Sequence, residues 1–424
     1  MRATLFLCSC LLAHINAQGL IGPVQYLNIT ALGGAGFING PPYGLHVANG
    51  TLIASLEGNL GLFQFGLDDV GFPTLLFTYT VPGGAFCSAF GGVADTSVVA
   101  TTSGSSTQPL NTWTRPLSGS SVWTSDGTDS TGVASYDLQV TPDGSLLIQG
   151  TSSKNVKVYT AGPAGTYTLS STTTVPITFG YSSVAFNLLS GNETFYHFQQ
   201  GSVGPTPRPA ILFQYAINGA SLTPLTPLNI TIPVLPTDYK FSPDQKFLYV
   251  LGLDNQCTVA QGSRATDGTI TFGPTYPSAA TAPCEALRIS ADGAWVFLTG
   301  NDGTIYQFSR DSTSGNLSPL PCASFANMCP PGMRAVAANT YPTNSTNILA
   351  FYTGCQSVSL TSLAVVQFST VPITNPPPCP TSSPTPHPTA TPTASPSTLA
   401  PTRTPTHSPT RHHLTSALAR EAFL

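Results

Sequence analysis

Charge is scarce in this chain. Of its 424 residues only 8% are charged, just four are Lys, and the formal net charge is −4. No basic field is therefore available to hold nucleic acid or an anionic lipid surface. Nor does any apolar run approach the roughly 20 residues that a membrane-spanning helix requires. Catalytic signatures are missing too. There is no P-loop, no G-x-S-x-G and no H-E-x-x-H, so phosphate transfer, serine hydrolysis and zinc proteolysis lack support. No C-x-x-C occurs beyond residue 17, which removes the usual spacing for zinc or thiol chemistry. No cofactor and no metal are expected.

What the chain has in quantity is turn residues: 39 Gly and 39 Pro beside 41% apolar content, a composition suited to a turn-dense, all-β domain. Its organising stretch is Phe241 to Val250, F-S-P-D-Q-K-F-L-Y-V. Pro243 fixes its own φ and Asp244 can bond backbone groups two residues on. Apolar, β-prone residues flank the pair, so two strands are joined by a tight turn. Clear copies occur at Val140 to Ile148 and Ile289 to Phe297, and weaker ones elsewhere. Seven markers result, at Asn49, Asp95, Asp143, Asn192, Asp244, Asp292 and Asn344, with intervals of 46, 48, 49, 52, 48 and 52. Seven units of about 50 residues, each a run of short strands, predict a seven-bladed β-propeller. Such a ring also accommodates a repeat region too long for one core, because each blade packs only on its neighbours.

The ends of the chain read differently. Met1-Arg2, an apolar run from Leu5 to Leu12 and Ile15-Asn16-Ala17 have the form of a secretory signal over 1–17. Six sequons agree with a secreted glycoprotein, at Asn28, Asn49, Asn192, Asn229, Asn316 and Asn344. The propeller is expected over 18–375. Its last unit supplies three strands, and an open ring would expose two strand edges. Val24 to Thr30, a strand that belongs to no complete unit, is therefore predicted to close the ring as the outermost strand of the last blade. Residues 376–424 form a Pro/Thr/Ser-rich, low-complexity tail expected to be disordered and extended, a stalk or spacer that places the protein at an extracellular surface or wall.

Seven Cys follow the signal. In a secreted chain disulfides are expected. Blade register sets Cys257 and Cys284 side by side between blades five and six, and Cys322 with Cys329 forms a plausible short loop. Cys87, Cys355 and Cys379 stay unassigned.

The units P-T-D-Y-K-F-S-P-D-Q-K-F-L-Y-V-L and I-S-A-D-G-A-W-V-F-L-T-G-N-D-G-T-I-Y-Q-F-S-R-D, with Ser314-Gly315-Asn316-Leu317-Ser318-Pro319, resemble the lactonase family of seven-bladed propellers. That family includes 6-phosphogluconolactonase and fungal muconate-lactonising enzymes. The resemblance implies His, Arg and acidic residues at the top of the first strands, often as P-R-H-x-x-F. Here Thr237 and Asp238 stand where that pattern has Arg and His, and the propeller holds only two His, His46 and His197. The usual catalytic residues are therefore absent. The marker turns share one face, three of them carry sequons, and a site is expected at the opposite end of the axial channel. The candidates there are Asp137, Asp238, Glu285 and Arg334.

The reading is a secreted, glycosylated propeller acting as an extracellular binding or structural module for carbohydrate or protein, without nucleic-acid or membrane-spanning partners. The alternative is a lactonase-like hydrolase or isomerase acting on a sugar lactone or related small acid. Secreted protein should begin at Gln18, and N-terminal sequencing of material from the culture medium checks this; a chain beginning at Met1 would refute the signal.

Overall fold

In a computed structural model of the chain, the described residues run from 25 to 369 with breaks in connecting loops, and are unbroken over 209–278 and 282–325. The proposed leader and tail lie outside them. Among the described residues there are 28 strands and no helix, arranged as seven antiparallel four-stranded sheets. The sheets, or blades, occupy residues 42–79, 87–129, 135–174, 185–232, 236–276, 284–325, and 334–369 with 25–28. The first strand of each blade packs beside the first strand of the next, and that of blade seven returns beside blade one. An all-β propeller is the result.

In blades three, five and six the turn that marks the unit works as its sequence suggests. In blade five the amide of Ser242 donates to the carbonyl of Phe247, and Asp244 Oδ1 accepts from the Ser242 hydroxyl and the Lys246 amide. Thr141 with Asp143 and Ser290 with Asp292 repeat the arrangement. The residue after the marker Asp is left-handed, as Gly144 (φ 70°), Gln245 (φ 58°) and Gly293 (φ 71°). Gln245 adopts this backbone at a cost of about 1 kcal/mol relative to Gly.

Alternation along each second strand then divides the core between neighbours. In Phe247–Gly252, Leu248 and Val250 pack against blade four, whereas Tyr249 and Leu251 pack with Leu287, Val296 and Leu298 of blade six. The second strands whose burial is described are buried on both faces, so their apolar side chains sit between blades and not at the axis. Blades seven and one join in the same manner, with Tyr352 and Val365 against Leu52, Phe63 and Phe65.

One hydrogen bond recurs across these seams. Tyr196, Tyr249 and Tyr352, each in a second strand, donate their hydroxyls to the carbonyls of Gly268, Gly315 and Gly71, which sit in the turn between the third and fourth strands of the following blade. All three glycines are left-handed, at φ 89°, 73° and 82°. A Cβ on Gly268 would lie 2.4 Å from Thr194 Cγ2 and one on Gly315 2.5 Å from Phe247, so the close approach excludes a side chain. Burial pushes the Tyr249 hydroxyl up to about 12, against the lowering effect of Arg310, and it stays a donor at all ordinary pH.

The ring closes through the N-terminal strand. Gln25–Asn28 pairs antiparallel with Thr361–Ser369, setting Gln25 opposite Val365 and Asn28 opposite Ser362, outermost in blade seven. Of the sequons, Asn229 and Asn316 are exposed, and Asn28 lies on this closing strand; Asn49, Asn192 and Asn344 fall outside the described residues. Deleting residues 18–32 would leave blade seven with three strands and a bare edge. Loss of soluble, cooperatively melting protein is the expected outcome, and a wild-type yield with an unchanged melting temperature would refute closure by this strand.

Candidate functional site

Inner strands carry the candidate residues, and a shared irregularity positions them. The first strands of blades one, three, five, six and seven each contain a register shift near their start. In blade five the shift falls between Pro236 and Asp238, in blade six between Cys284 and Ala286, and in blade three between Ser135 and Asp137. Such a bulge leaves one residue unpaired and re-aims its side chain. Thr237 and Glu285 occupy that extra position in their blades. Asp137 and Asp238 share the next register position. Arg334 opens the first strand of blade seven, one residue ahead of its bulge.

Of the four predicted residues, the structure sets Asp238 and Glu285 on adjacent blades at one end of the inner strands. Asp137 stands two blades away from Asp238, and the side chains of Asp137 and Arg334 lie outside the described residues. Asp238 is heavily engaged. Its Oδ1 accepts from its neighbour's amide, Tyr239 N, at 2.8 Å. Its Oδ2 accepts from the amide of Leu287 at 2.8 Å and from Arg288 Nη1 at 2.5 Å, both in blade six. Arg288 and Asp238 are 15% and 17% exposed, so the pair is largely withdrawn from water and bonded on both sides. Thr237 joins the same seam through its hydroxyl, within 3.4 Å of the carbonyl of Cys284. Glu285 contrasts with these. Its side chain is half-buried, and it has no hydrogen bond or ion pair among the described residues.

Arg288 was missed by the sequence reading. It falls four residues before Asp292, the register of Lys240 in blade five, and a cation at the same register of two neighbouring inner strands was the available signal. A disulfide reinforces the same end of the seam. Cys257, in the loop after the second strand of blade five, is bonded to Cys284, the first residue of the inner strand of blade six, as blade register predicted. Both are fully buried.

The second predicted disulfide is corrected. Cys329 pairs with Cys355, not with Cys322. Cys322 lies within the outermost strand of blade six, Leu317–Phe325, on the blade's periphery. Cys329 lies in the passage from that strand to the inner strand of blade seven, which brings it to the end of the blade's second strand, where Cys355 stands opposite Ala335. Proximity along the chain is thus overruled by the radial distance the chain must cover between blades.

The one histidine whose side chain is described does not reach the channel end. His197 lies in the second strand of blade four, fully buried, beside Phe213, and burial pushes its imidazole down to about 4. It is neutral near pH 7 and remote from the bulges. Among the described residues no group of three His, Cys, Asp or Glu is arranged to hold a metal ion, and no helix is long and apolar enough to cross a membrane.

No family model matches the chain, and no curated protein matches its sequence. Solved structures do resemble it. The periplasmic gluconolactonase of Pseudomonas aeruginosa superposes with a TM-score of 0.54 at 16% identity, covering 76% of this chain and 99% of that one. A functionally unknown protein from Desulfotomaculum acetoxidans gives 0.53 at 15% identity over 73% and 92%. A Bacteroides fragilis protein described as a candidate 6-phosphogluconolactonase gives 0.51 at 18% identity over 70% and 87%. At these identities the likeness establishes the fold: the chain is a β-propeller whose structural neighbours include gluconolactonase-like proteins.

His197 makes the stability of the fold pH-sensitive in a defined direction. Its folded pKa, about 4, lies below the unfolded value of 6.5, so the unfolded chain binds the proton more readily. The stabilisation is complete above pH 6.5 and is lost as pH falls towards 4. At about 1.4 kcal/mol per unit, up to about 3 kcal/mol is at stake. The melting temperature should fall across that window in the wild type and far less in His197→Gln; parallel curves for the two proteins would refute the assignment.

Proposed function

We propose that the protein works through the end of the inner strands in blades five and six, where it binds a neutral, polyhydroxylated ring of the sugar or sugar-lactone class. The observation that carries this reading is Glu285: a half-buried carboxylate on a bulge, lacking a partner among the described residues, beside an Asp238–Arg288 pair fixed by backbone amides. A carboxylate with open lone pairs accepts from ring hydroxyls, and the neighbouring guanidinium can donate to ring oxygens. An additional negative charge on the ligand would be repelled by Glu285, so the neutral ring is preferred over its acid. The chain is secreted and glycosylated in this reading, and its tail serves as a spacer.

Binding without turnover is the first reading. Asp238 already accepts three hydrogen bonds, one of them from Arg288, which commits it to holding two blades together and not to moving a proton. A second reading, a lactonase-like hydrolase with Glu285 as base towards water, is favoured by the fold likeness to the gluconolactonase of Pseudomonas aeruginosa. Calorimetric titration with glucono-1,5-lactone and glucose, paired with a pH-stat assay of lactone opening, separates the two. Saturable binding without acid release, weakened about tenfold or more (about 1.4 kcal/mol) in Glu285→Gln, is expected. Lactone opening that disappears in Glu285→Gln would transfer the assignment to the hydrolase, and no binding of either compound would overturn the site.

A further inference from the structure

Two seams between blades, four with five and five with six, are capped on the marker-turn face by an arginine from the third strand of the following blade, and the two caps differ. Between blades five and six, Arg310 is only 2% exposed and saturated. Its Nε donates to Tyr249 Oη at 2.9 Å, Nη1 to the carbonyl of Gly293 at 3.0 Å, and Nη2 approaches Asp244 at 3.4 Å. Between blades four and five, Arg264 occupies the same place. Its Nε donates to Tyr196 Oη and its Nη2 to Thr194 Oγ1, each at 3.2 Å. Its Nη1 has no partner among the described residues. Glu193 comes only to 3.8 Å, and its side chain is 82% exposed.

The sequence explains the difference. The marker of blade five is Asp244, the carboxylate that closes on Arg310; the marker of blade four is Asn192, whose side chain carries no carboxylate. Where blade six closes its cap, a cleft of about 330 Å³ opens at Arg264. Its walls combine the guanidinium edge with the Thr194 hydroxyl, the carboxylates of Glu193 and Asp267 at the rim, and the aliphatic surface of Ala216 and Ile217. Hydrogen bonds from the amide and hydroxyl of Thr269, opposed weakly by desolvation, lower the Asp267 carboxyl, so it is an acceptor throughout the neutral range.

We propose that this cleft is a saccharide subsite, separate from the inner-strand end, that seats a neutral acetamido sugar. One buried donor edge, two rim carboxylates and a small apolar wall suit a ring that presents an acetamido carbonyl, hydroxyls and a methyl group. The two rim carboxylates disfavour an anionic ligand. The sugar has two sources. Asn192, the sequon residue next to Glu193 in the chain, can supply it as its own glycan, or a free saccharide can enter.

The test uses the full chain, with chitobiose, the disaccharide of N-acetylglucosamine, as probe. Asn192→Gln protein should bind chitobiose saturably, and Asn192→Gln combined with either Arg264→Lys or Asp267→Asn should bind at least tenfold more weakly. Asp267→Asn removes the charge and keeps an oxygen to accept from Thr269, so it remains informative if the Arg264 variant fails to fold. Glycosylated wild type that binds no chitobiose while Asn192→Gln does identifies the protein's own glycan as occupant; equal binding by both identifies a free saccharide. Absence of saturation at millimolar chitobiose, or affinity untouched by both substitutions, overturns the proposal. Neither result bears on Glu285, whose ligands are titrated separately.

Discussion

The structure depends on one constraint: each blade must be held to the next without a shared sheet. Among the described residues no backbone ladder crosses a seam, so the joint is made by two apolar faces and a few directed polar contacts, with a disulfide added between blades five and six. The tyrosine hydroxyl of one blade reaching the carbonyl of a left-handed glycine in the next is the most regular of these. Each such bond contributes about 1 kcal/mol net. Their larger effect is registration, since a buried hydroxyl far from its carbonyl would be left unsatisfied. The same bond joins blade seven to blade one, so the closing seam is built like those between blades four and five and between blades five and six.

This constraint explains why acidic residues near the axis are poor evidence of catalysis by themselves. Asp238 sits where a reactive group would be looked for, yet its oxygens are occupied by the neighbouring blade. Asp244 is likewise committed to its own turn and to Arg310. Burial opposes ionisation of Asp244, while the Ser242 hydroxyl, the Lys246 amide and the Arg310 charge together keep its carboxyl below the ordinary range. Among the described residues, the polar groups left over once the seams are made include Glu285 at one end and the Arg264 guanidinium edge at the other, and these can meet a ligand.

Both positions arise where a repeat departs from its neighbours. Glu285 replaces the seam-forming Thr237 of blade five at the bulge, and in the sequence the blade-four marker is Asn192 where blade five has the clamp carboxylate Asp244. Imperfection in a repeat removes one intramolecular contact and exposes its partner. Function in a ring of nearly equivalent units can be read from such lapses in equivalence.

The order of strands, the marker turns and the closing N-terminal strand were legible in the chain itself, because they rest on local chemistry: a Pro, an Asp and two alternating apolar runs within ten residues. Cys257 with Cys284 was legible for the same reason, once blade register was known. The partners of Asp238, about 50 residues on, were not, nor were Cys329 with Cys355, Arg288, or the open clamp at Arg264. Those contacts join different blades, or span the radial passage between them. They depend on how far each loop carries the chain and on which side chain the facing blade presents, quantities that no local pattern encodes. The chain by itself determined a ring of repeats; only packing one blade on the next decided which polar residues are spent on holding it and which remain for a ligand.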